Sequence, residues 1–180
     1  QGIYVKKPIS SAADLKGVKW RAYSPATARI AELVGAQPVT VQAAELSQAM
    51  ATGVVESYMS SGSTGFDTKT YEHIKYWYDT QAWLPKNAVI VNKAAFDALD
   101  APTKQAVLKA AADAEVRGIA GSKKTNTDSL EKLKANGMSI VAPSAQLKAD
   151  MKKVGDVMLK EWLEKAGPEG KALIDAYTKP

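Results

Sequence analysis

The stretch GVKWRAYSP, from Gly17 to Pro25, joins the pattern of a strand to the pattern of a helix start. A glycine precedes a short run rich in aromatic and β-branched residues, which is typical of a strand. Ser24 and Pro25 follow directly, and this pair favours a helix start. The N–H groups of the first helical turn have no acceptor within the helix, so proline, which lacks an N–H, loses no hydrogen bond there. We therefore predict a strand that ends near Tyr23 and a helix that begins at Pro25.

The same alternation continues after this helix. Apolar residues recur at helical spacing up to Val34, and Gly35 supplies a left-handed stop. The next segments are predicted to be a strand over 38–41, a helix over 44–52 and a strand over 54–58. Strands that alternate with helices predict a parallel sheet with right-handed crossovers.

The rest of the chain is predicted to hold one long helix and several short elements. We expect a loop of small hydroxyl residues over 59–65, where sheet ligands bind, and a short helix over 71–74. Further strands are expected over 76–78, 88–91 and 138–141. A long helix is predicted over 102–136, and an amphipathic helix is predicted to start at Pro143-Ser144 and to end at Gly167-Pro168.

Composition excludes several classes of site. The chain of 180 residues is 46% hydrophobic and 24% charged, which is globular, and it has no cysteine and one histidine, His73. Disulfides, cysteine metal sites, thiol catalysis and multi-histidine metal sites are therefore excluded. The net charge is +5, but the lysines of the second half are interleaved with acidic residues. This pattern indicates solvated helix faces and no nucleic-acid partner.

Arg21 is the strongest candidate for a binding residue. It lies at the end of a predicted strand and just before a helix start, and a guanidinium can grip a carboxylate with two parallel hydrogen bonds. Ser60 and Ser61, after the third strand, would face the same crevice. These residues indicate a site for an organic anion. An enzyme on the same frame would depend on His73 as its base, although the setting of His73 is that of a surface residue.

Several motifs carry a resemblance to a known family. The motifs are LKGVKWR (15–21), LVGAQPV (33–39), AELSQAM (44–50), TGVVE (52–56), Tyr71-Glu72, VIVNK (89–93) and LDAPTKQ (99–105). In order and spacing they resemble the solute-binding proteins of TRAP-type (tripartite ATP-independent periplasmic) transporters. The resemblance covers essentially the whole chain, but it matches only the later part of such a protein, without the first lobe.

The resemblance implies an α/β fold in which two lobes close around a small organic acid. We expect a periplasmic-binding-protein-like lobe with a mixed, mainly parallel sheet flanked by helices, plus a long lobe-crossing helix. Residues 1–13 would form a hinge or interlobe strand, and residues 14–86 and 127–180 would form the second lobe. Residues 87–126 would pack on the missing first lobe. The alternative is a truncated module that associates with itself or swaps domains and binds no solute.

The resemblance also implies roles for six residues. Arg21 matches the carboxylate-binding arginine of the family. Ala43 stands where many members carry an aromatic residue, and Ser60 stands where many carry asparagine. The similarity places Gln81 and Trp83 beside the cleft, and Ser61 is expected to bond polar groups of the ligand. Some relatives bind their acid through a metal held by an acidic residue near this tryptophan, but here Leu84 follows Trp83, so we expect neither metal nor cofactor.

The function that this resemblance implies is transport without chemistry on the ligand. We expect an extracytoplasmic solute-binding protein, or a fragment of one, that captures a small monocarboxylate and delivers it to a TRAP-type membrane permease. An aromatic or aliphatic hydroxy or oxo acid would fit. The chain begins at Gln1 without a signal segment, so we expect a processed or partial chain of a periplasmic protein.

Overall fold

The computed structural model describes residues 1–85 and 87–179, and its centre is a single six-stranded sheet. The strands are β1 (Gly2–Val5), β2 (Lys19–Ala22), β3 (Gln37–Thr40), β4 (Ser57–Ser60), β5 (Tyr76–Tyr78) and β6 (Ser139–Val141). Their order across the sheet is β3-β2-β4-β1-β5-β6. The expected lobe boundary at Lys86 and the chain end at Pro180 lie outside the described residues.

The sheet is mixed, with more parallel than antiparallel pairs. Strand β2 pairs in parallel with both β3 and β4, and β5 pairs in parallel with β6. Strand β1 runs antiparallel to its two neighbours, β4 and β5. Because crossover helices join the parallel strands, helices cover both faces of the sheet. The expected fold class is confirmed.

The described part of the chain contains six α-helices. They are α1 (Pro25–Leu33), α2 (Leu46–Ala51), α3 (Gly62–Asp67), α4 (Lys93–Asp97), α5 (Ala101–Ala135) and α6 (Ala145–Thr178). Helix α6 contains a break, because Gly167 has non-helical backbone angles (φ 63°, ψ −152°) just before Pro168. This is the point at which the sequence predicts the end of the helix, and a further helical segment follows the break.

Side chains alternate between two hydrophobic cores, one on each face of the sheet. The first core packs α1 and α6 on one face and includes Ile3, Val5, Trp20, Ile30 and Leu147. The second core packs α2 and the end of α5 on the other face and includes Tyr4, Tyr58, Trp77, Met50 and Leu133. Adjacent residues of β1 thus enter opposite cores, so this strand is buried along its whole length.

Apart from a hydrogen bond from Lys104 Nζ to the Asp97 backbone oxygen of α4, the long helix α5 contacts the rest of the described structure near its C-terminal end. Ser129 and Leu133 are its buried residues, and Gly62 of α3 lies against Leu130. Nearly all side chains over 101–126 are exposed, including Val116 and Ile119. No helix among the described residues combines the length and the apolar character that crossing a membrane requires.

Three local predictions are wrong. Residues 88–91 do not form a strand: Val89, Ile90 and Val91 are exposed, and a strand requires a partner for its backbone groups, which the described residues do not provide. The third strand lies at Ser57–Ser60 instead of 54–58. The expected loop over 59–65 contains the start of helix α3, because the Ser61 hydroxyl caps a helix there.

Candidate functional site

The carboxyl ends of three adjacent strands lie on one edge of the sheet. Strands β2, β3 and β4 are mutually parallel and end at Ala22, Thr40 and Ser60. Strand β1 is antiparallel, and so its first residue, Gly2, lies opposite Ser60 at the same edge. Ligands of open α/β sheets bind beyond this edge, since the loops that leave the strands diverge there.

An open pocket of about 410 Å³ lies at this edge. It brings together three of the predicted site residues, Arg21, Ala43 and Ser60. The remaining lining residues are Gln1, Tyr23, Gln42, Thr64, Pro85 and Asn87. None of these nine residues is acidic, and Arg21 supplies the one cationic side chain among them. Among the described residues, the pocket therefore combines the positive charge of this side chain with hydroxyl and amide groups.

The guanidinium of Arg21 is held from two directions. Its Nε donates a hydrogen bond to the backbone oxygen of Val41 at 2.9 Å. Its Cζ lies 5.1 Å from the centroid of the Tyr23 ring, within the range of a cation–π contact. Among the described residues, no side chain or backbone group bonds Nη1 or Nη2, and no carboxylate pairs with Arg21. The edge that suits a carboxylate is therefore free.

Arg21 is deeply placed for a charged residue, with 5% of its surface exposed. Burial lowers the pKa of its guanidinium from the ordinary value, while the neighbouring Tyr58 and Tyr23 act to raise it. Arginine stays protonated at neutral pH in any case, so the pocket holds a partly desolvated positive charge. Such a charge is unfavourable until an anion compensates it, and the site is therefore complementary to an anionic ligand.

Comparison with known proteins identifies the family. Residues 2–166 match the family model described as bacterial extracellular solute-binding protein, family 7. The chain belongs to this family. Its structural neighbours include TRAP periplasmic solute receptors, which confirms the resemblance found in the sequence.

Three solved structures of solute-binding proteins are similar over 99% of the chain. The Bordetella pertussis extracytoplasmic solute receptor DctP6, which binds pyroglutamic acid, is 64% identical with a TM-score of 0.95. A second B. pertussis receptor for pyroglutamic acid, DctP7, is 44% identical with a TM-score of 0.93. A marine metagenome TRAP solute-binding protein specific for pyroglutamate is 42% identical with a TM-score of 0.93. The chain spans 60% of the first of these proteins and 59% of the other two.

The other three predicted site residues of this solute-binding protein lie outside the pocket lining. The Ser61 hydroxyl caps α3, where it accepts a hydrogen bond from the Thr64 backbone N–H at 3.2 Å. Gln81 is exposed with a left-handed φ of 49°, and its amide nitrogen donates to Asp79 at 3.2 Å. Trp83 packs against the first core, and its backbone oxygen accepts a hydrogen bond from Gln1 at 2.8 Å.

Sequence reasoning missed several lining residues. Tyr23, Gln42 and Thr64 each follow a strand of the parallel set within four residues, so their position relative to the carboxyl ends was a usable signal. Gln1 and Asn87 reach the pocket only through the tertiary fold, and no local pattern marks them. Within residues 1–85 and 87–179, no three acidic, cysteine or histidine side chains cluster as metal ligands.

Proposed function

We propose that this chain forms the second lobe and lobe-crossing helix of an extracytoplasmic receptor for pyroglutamate. The observation that carries the proposal is the free, unpaired edge of the Arg21 guanidinium in a pocket with no acidic lining residue. The 64% identity to a receptor that binds pyroglutamic acid supports the choice of this acid. Arg21 would bind its carboxylate with two parallel hydrogen bonds.

The neutral groups of the pocket suit the rest of this ligand. Pyroglutamate is a five-membered lactam, so besides its carboxylate it offers one amide N–H and one amide oxygen. The amides of Gln42 and Asn87 and the hydroxyl of Ser60 can pair with these groups without adding charge. The small side chain of Ala43 leaves room for the ring. A compact lactam acid thus matches the pocket, and among the ligands that the sequence left open it is nearer to an aliphatic oxo acid than to an aromatic one.

The roles of the three predicted residues outside the pocket lining remain part of the proposal. Ser61 would act through the helix that it caps, since Thr64 of the same turn lines the pocket. Gln81 and Trp83 lie in the segment that leads to Pro85 and Asn87, so they would set the position of that wall. No metal or cofactor takes part in this account.

The proposed receptor also needs a first lobe. The domain assignment of residues 1–13, 14–86 with 127–180, and 87–126 is part of this proposal. Exposed apolar side chains are concentrated in the third of these segments, at Val89, Ile90, Val116 and Ile119. We propose that they pack on the first lobe and that residues 88–91 gain a strand partner there. Self-association of the chain has no support in the comparisons.

The remaining parts of the proposal follow from the family. Its members are extracytoplasmic solute receptors and not enzymes. We propose that this protein acts outside the cytoplasm, delivers its ligand unchanged to a TRAP-type permease, and has no catalytic residue.

Because the proposed cleft needs both lobes, a thermal-shift series with matched ligands on the receptor that includes the first lobe tests the proposal. A ligand that binds only the folded state raises the melting temperature. We expect L-pyroglutamate to raise it, and we expect L-pyroglutamide, which carries a neutral carboxamide, and 2-pyrrolidone, which lacks the acid group, to have little effect. Equal shifts with all three compounds, or no shift with pyroglutamate at millimolar concentration, would contradict the assignment.

A further inference from the structure

We propose that Tyr23 is a positioning residue that holds the Arg21 guanidinium with its free edge toward the ligand. The inference deepens the proposed function and rests on it for its effect on affinity. Tyr23 follows β2 directly and lines the same pocket as Arg21.

Tyr23 is itself fixed at both ends. Its backbone N–H donates to the Thr27 hydroxyl at 3.1 Å, in the first turn of α1. Its own hydroxyl donates to the side-chain oxygen of Gln1 at 3.3 Å. Thr27 is buried and also bonds Ser24, so the backbone anchor is rigid. A ring held at both ends is a fixed surface and not a freely rotating side chain.

The fixed ring completes the support of the guanidinium. The Val41 oxygen holds Nε, and the Tyr23 ring lies 5.1 Å from Cζ. Together these contacts restrain the plane of the group and leave Nη1 and Nη2 as its open edge. Two parallel hydrogen bonds to a carboxylate require that edge in a defined orientation. Without the ring, the side chain would sample other rotamers, and binding would have to restrict it again.

Three variants separate this role from a purely structural one. Tyr23→Phe keeps the ring and loses the hydroxyl, Tyr23→Leu loses the ring, and Tyr177→Leu makes the same change at an exposed tyrosine of α6 that is not among the pocket-lining residues. The dissociation constant for L-pyroglutamate is measured by calorimetry. We expect Tyr23→Leu to raise it roughly three- to thirtyfold. We expect Tyr23→Phe, which keeps the ring but frees one of its ends, to raise it less than Tyr23→Leu does, and Tyr177→Leu to stay within about threefold of the unchanged protein.

A second readout needs no ligand. The chain has three arginines, so the Nε–Hε signal of Arg21 in a ¹⁵N NMR spectrum can be assigned by its loss in Arg21→Lys. We expect a slowly exchanging signal in the unchanged protein and in Tyr23→Phe. In Tyr23→Leu, we expect the chemical shift of this signal to change and its exchange with water to become faster while other slowly exchanging N–H signals are unaffected, whereas a general loss of stability would speed exchange at all of them.

The outcomes distinguish the two claims. An unchanged Arg21 signal in Tyr23→Leu overturns the positioning role whether or not pyroglutamate binds. An unchanged dissociation constant in Tyr23→Leu also overturns it. Failure of the unchanged protein to bind pyroglutamate contradicts the proposed function, and the NMR signal then decides the positioning role by itself.

Discussion

The ring of Tyr4 stacks on the ring of Tyr58, with 4.5 Å between the centroids and 12° between the planes. Tyr58 pairs with Arg21 across β2 and β4, and the Tyr4 hydroxyl donates to the Ser61 backbone oxygen at 2.9 Å. Both rings are fully buried, and burial raises the pKa of Tyr58 to about 12. The stacked pair therefore links the second core to the strand ends that form the pocket.

Gly65 is required for this contact, because a methyl group there would lie 2.1 Å from the Tyr4 hydroxyl oxygen. We expect Gly65→Ala to lower the free energy of unfolding by about 1–3 kcal/mol, since the stacked Tyr4 ring cannot move away without disturbing the core. Urea unfolding measures the change. Gly155→Ala is the control: a methyl group in α6 meets no atom within 4 Å, and we expect stabilisation by up to about 1 kcal/mol. Equal effects of the two substitutions would contradict this account.

Removal of the adjacent hydroxyls of Ser60 and Ser61 is predicted to change different quantities, chiefly ligand affinity at Ser60 and stability at Ser61. Ser61→Ala removes the cap of α3 and should cost about 1 kcal/mol of stability. Ser60 lines the pocket, so Ser60→Ala should weaken pyroglutamate binding severalfold with a smaller effect on stability. Chemical unfolding and calorimetry on the same two variants test this. Stability loss at Ser60 with unchanged affinity would argue against its contact with the ligand.

The carboxylate of Asp14 makes the stability of the folded state depend on pH. Its Oδ2 accepts hydrogen bonds from the backbone N–H groups of Ser10 and Ser11 at 2.7 and 2.9 Å, and the first of these bonds is the main reason why the pKa of Asp14 is lowered. A carboxyl group whose pKa is lower in the folded state stabilises that state above its unfolded pKa, and the stabilisation disappears as the pH falls through the folded value.

We therefore expect Asp14→Asn to be less stable than the unchanged protein at pH 7 and nearly as stable well below pH 3.8, the ordinary pKa of the group. Thermal unfolding of both proteins across this range measures the difference. A difference that stays constant down to pH 2 would show that the charge of Asp14 is not its source.

The elements around Arg21 could be predicted because local signals and tertiary structure agree there. The Ser24-Pro25 pair does start α1, and the Ser24 hydroxyl accepts a hydrogen bond from the Thr27 backbone N–H. The strand before it is buried on both sides of Arg21, as its apolar pattern indicates. The position of Arg21 at the end of a parallel strand then follows from the order of the elements.

Helix α3 could not be predicted, because its sequence, GSTGFD, contains poor helix formers. Its glycines do not favour a helix, but they allow neighbouring elements to pack closely against it. Methyl groups at Gly62 and Gly65 would lie 2.8 Å from Leu130 and 2.1 Å from Tyr4, so the helix can approach α5 and β1 only without side chains there. The prediction for residues 88–91 fails for the opposite reason: these residues favour a strand, but the described residues offer it no partner.

Trp83 and Gln81 show the limit of residue-by-residue transfer from a family. Their roles stay predictions: both lie in the segment that leads to Pro85 and Asn87, which line the pocket two to six residues later. The left-handed backbone conformation at Gln81 changes the direction of the chain, and no local sequence pattern predicts it. The tertiary fold, and not the local sequence, therefore decides which side chain of such a segment enters a pocket.

The most direct test of the account compares the pyroglutamate affinity of the unchanged protein with that of Arg21→Lys. Lysine keeps the charge but cannot form two parallel hydrogen bonds, so we expect affinity to fall at least about tenfold. Arg117→Lys, the same change at an exposed position on α5, should leave affinity unchanged. Calorimetry measures all three proteins. Equal affinity of the unchanged protein and Arg21→Lys would contradict the central claim that the Arg21 guanidinium binds the carboxylate.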